Sequence, residues 1–304
     1  MSILVTGATG YIGSNIVNKL IERGNSTIGV VRSPCQINSL TKGIEPLLAD
    51  FATSEGIDAI ANKVKESDAV IHTGFVTHGK QWTEAVAIEQ KFLSVLVEAL
   101  KNTGKTLIVS NGTIFYGDTG NKKFEEDAPV ITNHPAAIRA RAISAVLQAS
   151  QKGFRGIELR LASFVYGQGG SVFLPILLRS ARETNQSIYI DKGDNRTSTV
   201  NVEDAARAYL DALDRGRAGE IYHIACDDEP TISDIARAVA VNCDAHVVSV
   251  SAEEASQKLD PFTAMFLNLN NRLSSVKART ELKWMPNAKR SLLWDVAYGS
   301  YKTS

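Results

Sequence analysis

The sequence predicts an α/β fold with a doubly wound parallel sheet and a smaller C-terminal lobe that interleaves with it. Three observations lead to this prediction. Short apolar runs alternate with amphipathic helical stripes through the first half of the chain, a glycine-rich turn joins the first run to the first stripe, and no repeat or flexible linker divides the chain. Parallel strands need crossover helices, and this alternation supplies them.

The strands are predicted from short apolar runs that lie between polar or turn-forming residues. Along the chain these runs cover residues 3–6, 27–31, 46–49, 69–72, 107–110 and 157–161, with a later run at 221–225. Consecutive strands of an alternating chain usually lie side by side, so we expect one sheet. We expect the later run to return to this sheet.

The helices are predicted where apolar residues recur three and four positions apart. The first helix carries such a stripe from Ile12 to Ile21, and Gly24 is a fitting stop. Further helices are expected at 57–64, 84–102, 135–152, 175–184 and 203–215.

The regular alternation ends at about residue 164. Turn-rich stretches at 166–170 and 191–195 separate the later helices, and short mixed elements continue to the end. We therefore assign residues 1–164 to the sheet domain, with 197–225 returning to it. Residues 165–196 and 226–304 are assigned to the smaller lobe.

The composition favours a small-molecule partner. The 304 residues include 33 basic and 33 acidic side chains, so no net field attracts nucleic acid or an anionic membrane. The three cysteines are far apart and odd in number, which suits a reducing compartment and makes neither a disulfide framework nor a metal cluster. No apolar stretch has membrane-spanning length or the form of a signal peptide, so we expect a cytoplasmic protein. The sequence does not decide the oligomeric state, for which a homodimer is one alternative.

The glycine-rich turn after the first strand predicts a dinucleotide site. It reads Thr6-Gly7-Ala8-Thr9-Gly10-Tyr11-Ile12-Gly13. The three glycines allow a tight turn, the close approach of a pyrophosphate, and close packing of the helix on the strand. The helix N-terminus offers free N–H groups and a positive dipole end to the phosphates. The alternative is an ordinary strand–helix turn, but the place of the motif at the start of a βαβ unit favours the dinucleotide.

The turn and eight later stretches resemble the extended and atypical short-chain dehydrogenases/reductases, in particular their NAD-dependent epimerase/dehydratase-like subgroup. The stretches follow one another along nearly the whole chain: TGATGYIG (6–13), LLADF (47–51), AVIHTGFV (69–76), SNGT (110–113), ELRLASFVYGQGG (158–170), FLPILLRSAR (173–182), GDNRTSTVNVEDAARAYLDAL (193–213), AGEIYHIACDDEP (218–230) and ARTELKWMP (278–286). The resemblance implies a Rossmann-type fold, an NAD(P) cofactor and an oxidoreductase-type enzyme.

The end of the second strand selects the cofactor. A carboxylate there binds an adenosine ribose and repels a 2′-phosphate, whereas this chain has Arg32 and Ser33, which can clamp a phosphate and donate to it. We expect NADP(H) rather than NAD(H); the alternative for Arg32 is a solvated surface arginine. By resemblance, further cofactor contacts are expected at Gly7, Thr9, Gly10, Tyr11, Ile12, Gly13, Asp50, Phe51, Thr73, Gly74, Phe75, Ser110, Arg139 and Leu161. Asp50 has the alternative of a helix cap.

The YxxxK signature of the resembling family is absent. In typical members the tyrosine passes a proton and the lysine holds the cofactor ribose, four residues apart on one helix face. Here Ala137 replaces the tyrosine by position and Arg141 the lysine, while Gly112 holds the usual Ser/Thr place. Alanine cannot transfer a proton, and arginine stays charged. The atypical subgroup keeps an NGT-like loop and an arginine on this helix, for which Arg139 is the alternative register.

We therefore nominate Thr113, Tyr116 and Arg141 as catalytic residues. Arg141 or Arg139 would hold the cofactor ribose, and Thr113 with a water, or Tyr116, would serve the substrate oxygen. Tyr116 has the alternative of a packed aromatic ring. His72 ends a buried strand, where a catalytic histidine and a core histidine with satisfied hydrogen bonds are equally good explanations.

Substrate contacts are expected at His78, Trp82, Tyr166, Phe173 and Arg196. His78 and Trp82 lie in and beside a polar loop after the fourth strand. Tyr166 and Phe173 belong to an apolar, aromatic segment that either lines the pocket or forms the core of the smaller lobe. By resemblance, Arg196 stands where nucleotide-sugar epimerases place a phosphate-binding arginine.

Three functions stay open. The leading one is an NADP-dependent oxidoreductase for a small carbonyl or alcohol substrate with an unusual proton donor. The second is a non-redox or internally redox epimerase, dehydratase, isomerase or cyclase. The third is a catalytically silent dinucleotide-binding sensor or scaffold. The missing tyrosine strengthens both alternatives, and the fold alone cannot choose because function belongs to the site.

Overall fold

The computed structural model describes residues 1–76, 79–132 and 136–302. Within these ranges the strands are β1 (Ser2–Thr6), β2 (Ser26–Val31), β3 (Glu45–Leu48), β4 (Ala69–His72), β5 (Thr106–Asn111), β6 (Arg155–Leu161), β7 (Phe164–Tyr166), β8 (Gln186–Ile190), β9 (Thr199–Asn201), β10 (Glu220–Ile224) and β11 (His246–Val250).

The α-helices of the same ranges are α1 (Tyr11–Glu22), α2 (Ser54–Glu66), α3 (Trp82–Leu100), α4 (Ala136–Ala149), α5 (Leu174–Thr184), α6 (Val202–Arg215), α7 (Ile232–Cys243), α8 (Ala252–Lys258), α9 (Pro261–Leu267), α10 (Val276–Glu281) and α11 (Leu292–Tyr298). Short 3₁₀ helices lie at Pro34–Ser39, Ile114–Tyr116 and Ser150–Lys152. None of the described helices combines the length and hydropathy that crossing a membrane requires.

Seven strands form one sheet in the order β10-β6-β5-β4-β1-β2-β3. Every neighbouring pair is parallel, and β10 pairs with β6, Glu220 opposite Ile157. The chain builds outward from β1 to β3 on one side and from β4 to β6 on the other, so the direction of winding reverses between β1 and β4. The doubly wound α/β fold predicted from the sequence is confirmed.

Alternate residues of each strand pack on opposite faces of this sheet. In β1, Ile3 and Val5 belong to the apolar cluster that contains Ile16 of α1. Leu4, between them, belongs to the cluster on the other face with Leu96 of α3. All three strand side chains are fully buried. Helices therefore cover both faces, which is why the strands read as continuous apolar runs.

A third apolar cluster forms the core of a small lobe, which comprises β8, β11, α5, α7, α8, α9 and α11. Aromatic rings fill its centre: Phe173 stacks on Phe266 with 4.0 Å between ring centroids, and Phe164 packs against both rings. Phe173 is therefore a core residue of this lobe, and of its two predicted roles the structure supports the packing role.

Candidate functional site

A cleft of about 360 Å³ opens at the carboxyl ends of β1, β2 and β4. This is where the order of the strands reverses, the usual place for a ligand in an open α/β sheet. Most of the residues predicted to bind the cofactor line it, namely Gly7, Thr9, Gly10, Tyr11, Ile12, Gly13, Arg32, Asp50, Phe51, Thr73, Gly74 and Phe75. The fold thus brings into one cleft segments that are far apart in sequence.

The glycine turn has the shape that a phosphate-binding loop requires. Gly7 has a φ of 71°, and a Cβ there would lie 2.9 Å from the backbone nitrogen of Gly74. A Cβ at Gly13 would lie 2.0 Å from the carbonyl oxygen of Gly7, so α1 packs directly on the turn. Gly10 caps α1 and borders the cleft. The free N–H groups in the first turn of α1 therefore lie where a pyrophosphate fits.

At the end of β2, an exposed arginine faces the cleft. Arg32 lines it beside Gln36, whose Oε1 accepts the backbone N–H of Arg32 at 3.0 Å. The guanidinium of Arg32 has no hydrogen-bond or ion-pair partner in the described part of the chain. The next residue, Ser33, is half-buried, with its Oγ 3.1 Å from Sγ of Cys35. The unpaired positive charge of Arg32 therefore lies at the end of β2, the position where Rossmann-type folds distinguish NAD from NADP.

Among the described residues that line the cleft, the one carboxylate follows a different strand. Asp50 follows β3, and its Oδ1 accepts the backbone N–H of Ala52 at 2.9 Å. Asp50 does not cap α2, because Thr53 is the capping residue and accepts from the N–H of Gly56. The alternative of a helix cap for Asp50 is therefore wrong.

Beyond Thr73, the lining of the cleft includes Phe75. The side chain of Arg139, from α4, packs against the ring of Phe75. The guanidinium carbon of Arg139 lies 4.7 Å from the ring centroid of Phe75. Nε and Nη2 of Arg139 donate to the two oxygens of Glu89, each at 2.7 Å. Nη2 also donates to the carbonyl of Ser110 at 2.9 Å, and Nη1 donates to Oδ1 of Asn111 at 3.0 Å. One Nη1 hydrogen stays without a partner among the described residues.

These contacts establish the register of α4. Arg139 points to the carboxyl ends of the strands, whereas Arg141 is exposed, with Nη1 3.5 Å from the carbonyl oxygen of Thr132. Arg141 is therefore not placed to hold a ribose. Of the two arginines considered for this role, Arg139 is the one that lies near the cleft. Ala137 is fully buried, so a tyrosine at this position would have to displace its neighbours.

Glu89 connects Arg139 to a histidine at the end of β4. Nε2 of His72 lies 3.3 Å from Glu89, and Nδ1 lies 2.6 Å from the hydroxyl of Thr6. An ionised carboxylate only accepts, so Nε2 carries the proton and Nδ1 accepts from Thr6. Burial alone would raise the pKa of Glu89, but the charge of Arg139 and the hydrogen bonds from His72 and Arg139 outweigh it and lower the pKa to about 2. His72 is thus a satisfied core histidine.

The two nominated hydroxyl residues are buried and held by protein partners. Thr113 Oγ1 donates to Oδ1 of Asn271 at 2.8 Å. The hydroxyl of Tyr116 accepts from Arg160 and donates to Nε2 of His223 at 2.8 Å, and burial raises the pKa of Tyr116 to about 12. Neither residue lines the cleft. In this structure Tyr116 packs and bridges two strands, which is the alternative role weighed from the sequence.

Four predicted cofactor contacts also lie outside the cleft lining, namely Ser33, Ser110, Arg139 and Leu161. Ser110 Oγ donates to the carbonyl of His72 at 3.0 Å and lies 2.6 Å from the hydroxyl of Tyr209. Leu161 is buried in the apolar core of the sheet.

The predicted substrate residues are dispersed. The ring of Trp82 lies 5.2 Å from that of Phe75, at the edge of the cleft. Tyr166 donates to the carbonyl of Arg290 at 2.8 Å, and Arg196 is exposed and donates to the carbonyl of Glu229 at 2.9 Å. Among the four members of this set that the structure describes, only Trp82 lies beside the cleft. His78 lies outside the described residues.

Sequence reasoning missed six residues that line the cleft: Val30, Gln36, Ala49, Val76, Ser171 and Val172. Ala49 and Val76 adjoin predicted residues, Val30 lies in β2 just before Arg32, and Gln36 belongs to the 3₁₀ helix that follows β2. Ser171 and Val172 come from the segment after β7 and approach the glycine turn only through the fold. The cluster Gly167, Gly169 and Gly170 just before them was the available signal, since glycines often mark close backbone approaches.

Comparisons with known proteins show the family of this chain. The model of the NAD dependent epimerase/dehydratase family matches residues 3–225. Uncharacterized protein C2A9.02 of Schizosaccharomyces pombe is 33% identical over 302 residues, which cover 99% of this chain and 100% of that protein.

Two further proteins show how varied similar chains are. The 4-hydroxy-2-methyl-3-oxo-4-farnesyl-3,4-dihydroquinoline-1-oxide ketoreductase of Stigmatella aurantiaca is 28% identical over 244 residues, 74% of this chain and 68% of that protein. The crystal structure of a dTDP-glucose 4,6-dehydratase from Streptomyces venezuelae, with NAD and TYD bound, shares the fold with a TM-score of 0.79. Its sequence is 20% identical, and the match covers 99% of this chain and 96% of that one. Because the family model spans well over half of the sequence, this chain belongs to the NAD dependent epimerase/dehydratase family.

Proposed function

We propose that this protein is an NADPH-dependent reductase of a small carbonyl compound. The observation that carries the choice of cofactor is the free guanidinium of Arg32 in the cleft at the end of β2. The segment Val30-Val31-Arg32-Ser33 offers no carboxylate to an adenosine ribose. An unpaired arginine gains charge-assisted hydrogen bonds from a 2′-phosphate that NADH lacks.

The fit of a dinucleotide rests on the glycine turn. Side chains at Gly7 and Gly13 would collide with backbone atoms, and Gly10 leaves the N-terminus of α1 open to the cleft. The adenosine end of the cofactor would lie toward Arg32 and the nicotinamide end toward Phe75, since these residues line opposite ends of the strand-end cleft on either side of the turn. When bound, NADPH supplies the hydride of the reduction.

Substituting Arg32 by alanine should weaken NADPH binding by about 1.5–3 kcal/mol, the scale of a hydrogen bond to a charged group. The affinity for NADH should stay unchanged because NADH has no 2′-phosphate. Titration calorimetry with both cofactors measures the effect, and Arg179→Ala, an exposed arginine on α5, is the control. An equal loss for both cofactors would show that Arg32 acts through the shape of the cleft.

The residues beside Phe75 support reduction as the direction of the proposed reaction. Oxidation of an alcohol is fast only if a positioned base takes its proton, because water is a weak base at neutral pH, and the family position for that base holds the buried Ala137. Arg139 stays charged and keeps one free N–H, so it can stabilise the negative oxygen that forms when a carbonyl is reduced. Solvent can then protonate this oxygen. The site therefore suits reduction better than a cycle that begins with oxidation.

Incubating the protein with NADPH and a panel of aldehydes and ketones tests this function. We expect one NADPH to be oxidised for each alcohol formed, at a rate about 10²–10⁴-fold below that of an enzyme with a positioned proton donor. The Gly10→Val variant provides the background rate without bound cofactor. A converted substrate with no net oxidation of cofactor would support an epimerase or dehydratase instead. No turnover of any substrate would support a binding protein.

A further inference from the structure

The loop between β7 and α5 lies over the dinucleotide cleft. Its residues Ser171 and Val172 line the cleft together with Gly10 and Tyr11 of the glycine turn. The cleft is therefore built from both the sheet and the segment that leads into the small lobe.

Two tyrosines hold this loop in place. The hydroxyl of Tyr11 donates to the carbonyl of Gly167 at 2.7 Å. The hydroxyl of Tyr301 accepts the N–H of Gly167 at 2.8 Å and donates to the carbonyl of Gly170. Burial raises the pKa of both tyrosines, so both hydroxyls keep the protons that they donate. The loop is thus tied to the first residue of α1 and to the C-terminal segment.

The close approach of Gly170 fixes the position of its neighbour. A Cβ at Gly170 would lie 2.2 Å from the ring of Tyr11, so the loop backbone rests directly on this ring. Ser171 directly follows Gly170 in the sequence and is therefore held close to the N-terminus of α1.

The hydroxyl of Ser171 is unpaired within the described part of the protein. Its oxygen is buried and has no hydrogen-bond partner among the residues that the structure describes. Buried hydroxyls are nearly always bonded, because a missing partner costs the free energy of desolvation. Ser171 lines the cleft, so rotation about its Cα–Cβ bond can turn the hydroxyl toward a ligand there, which supplies the partner.

We propose that Ser171 donates a hydrogen bond to the pyrophosphate of the bound dinucleotide. This inference rests on the proposed function, since it requires a dinucleotide in the cleft. The free N–H groups of α1 and the Ser171 hydroxyl approach the pyrophosphate from the two sides of the cleft. The segment leading into the small lobe thereby takes part in binding the cofactor.

Ser171→Ala is expected to weaken the binding of NADPH by at least about tenfold, the scale of a hydrogen bond to a charged group. Binding of adenosine 2′-monophosphate, which lacks the pyrophosphate, should be unchanged. The ligand-free variant should unfold at the same or a higher temperature than the parent, because a buried unpaired hydroxyl is removed. Ser14→Ala is the control, since Ser14 Oγ already donates to the carbonyl of Tyr11 at 3.2 Å. Titration calorimetry and thermal unfolding provide these measurements.

Unchanged NADPH affinity in Ser171→Ala would overturn the inference, as would an equal loss of affinity for both ligands, which would mean that the loop has moved. A parent protein that binds neither NADPH nor NADH would overturn the proposed function and this inference with it. A parent that binds NADPH and a variant that binds it equally well would overturn the inference alone.

Discussion

Replacing Glu89 by alanine is expected to lower the free energy of unfolding by about 3–5 kcal/mol, the cost of removing one partner of a buried ion pair. The Glu89 side chain is 1% exposed, and its two oxygens accept from Arg139 and His72. The substitution leaves the guanidinium of Arg139, whose side chain is 13% exposed, without its counter-charge. Denaturant-induced unfolding of parent and variant measures the loss.

Glu84→Ala is the matched control on the same helix. Glu84 is exposed and pairs with Lys80 at the surface, so its loss should cost less than about 1 kcal/mol. Replacing both members of the buried pair, as in Glu89→Met with Arg139→Met, should cost less than Glu89→Ala alone because no charge is left unpaired. Similar small losses for Glu84→Ala and Glu89→Ala would mean that the buried pair is not coupled.

The contribution of Glu89 should also depend on pH. Its pKa is lowered from 4.5 to about 2 in the folded protein, so the ionised carboxylate stabilises the fold above pH 4.5 and this contribution is lost as the pH falls through 2. The difference in stability between the parent and Glu89→Gln should therefore shrink across this range. A difference that stays constant over it would contradict the assignment.

Gly10→Val is expected to abolish measurable NADPH binding and to leave a folded protein. A Cβ at Gly10 would have one close neighbour among the described residues, the carbonyl oxygen of Gly7 at 3.1 Å. The turn therefore accepts a side chain there with a small adjustment. The valine methyl groups would nonetheless occupy the approach of the pyrophosphate to α1. Circular dichroism reports the fold, and titration calorimetry reports binding.

Gly13→Val should behave in the opposite way. A Cβ at this position would lie 2.0 Å from the Gly7 carbonyl oxygen, so α1 would have to leave the turn and the fold would be lost or strongly destabilised. A Gly10→Val protein that folds and binds NADPH normally would show that the turn has only a structural role.

The sheet and the glycine turn could be predicted because their signals are local. The apolar runs of β1, β4 and β5 and the three glycines at 7, 10 and 13 each lie within a few residues of one another. Burial on both faces of a parallel sheet makes every position of such a run apolar. The short strands β8 and β11 were missed because they pair with each other across distant parts of the chain, and β11 is largely exposed.

The register of α4 could not be predicted because its sequence does not show one clear apolar face. Arg139 and Arg141 stand two positions apart in a segment rich in alanine. Their roles are separated by Glu89, which comes from α3 and, of these two arginines, pairs with Arg139. A signal was nevertheless present, since Glu89 lies within the apolar stripe of α3, one turn from Ala85 and Phe92, and a buried carboxylate needs a partner.

The most direct test of the central claim is a calorimetric titration of the parent protein with NADPH and with NADH. We expect NADPH to bind at least about tenfold more tightly, because Arg32 gains a charge-assisted contact that only the 2′-phosphate provides. Equal affinities, or tighter binding of NADH, would contradict the assignment of Arg32 and with it the proposed NADPH-dependent reductase.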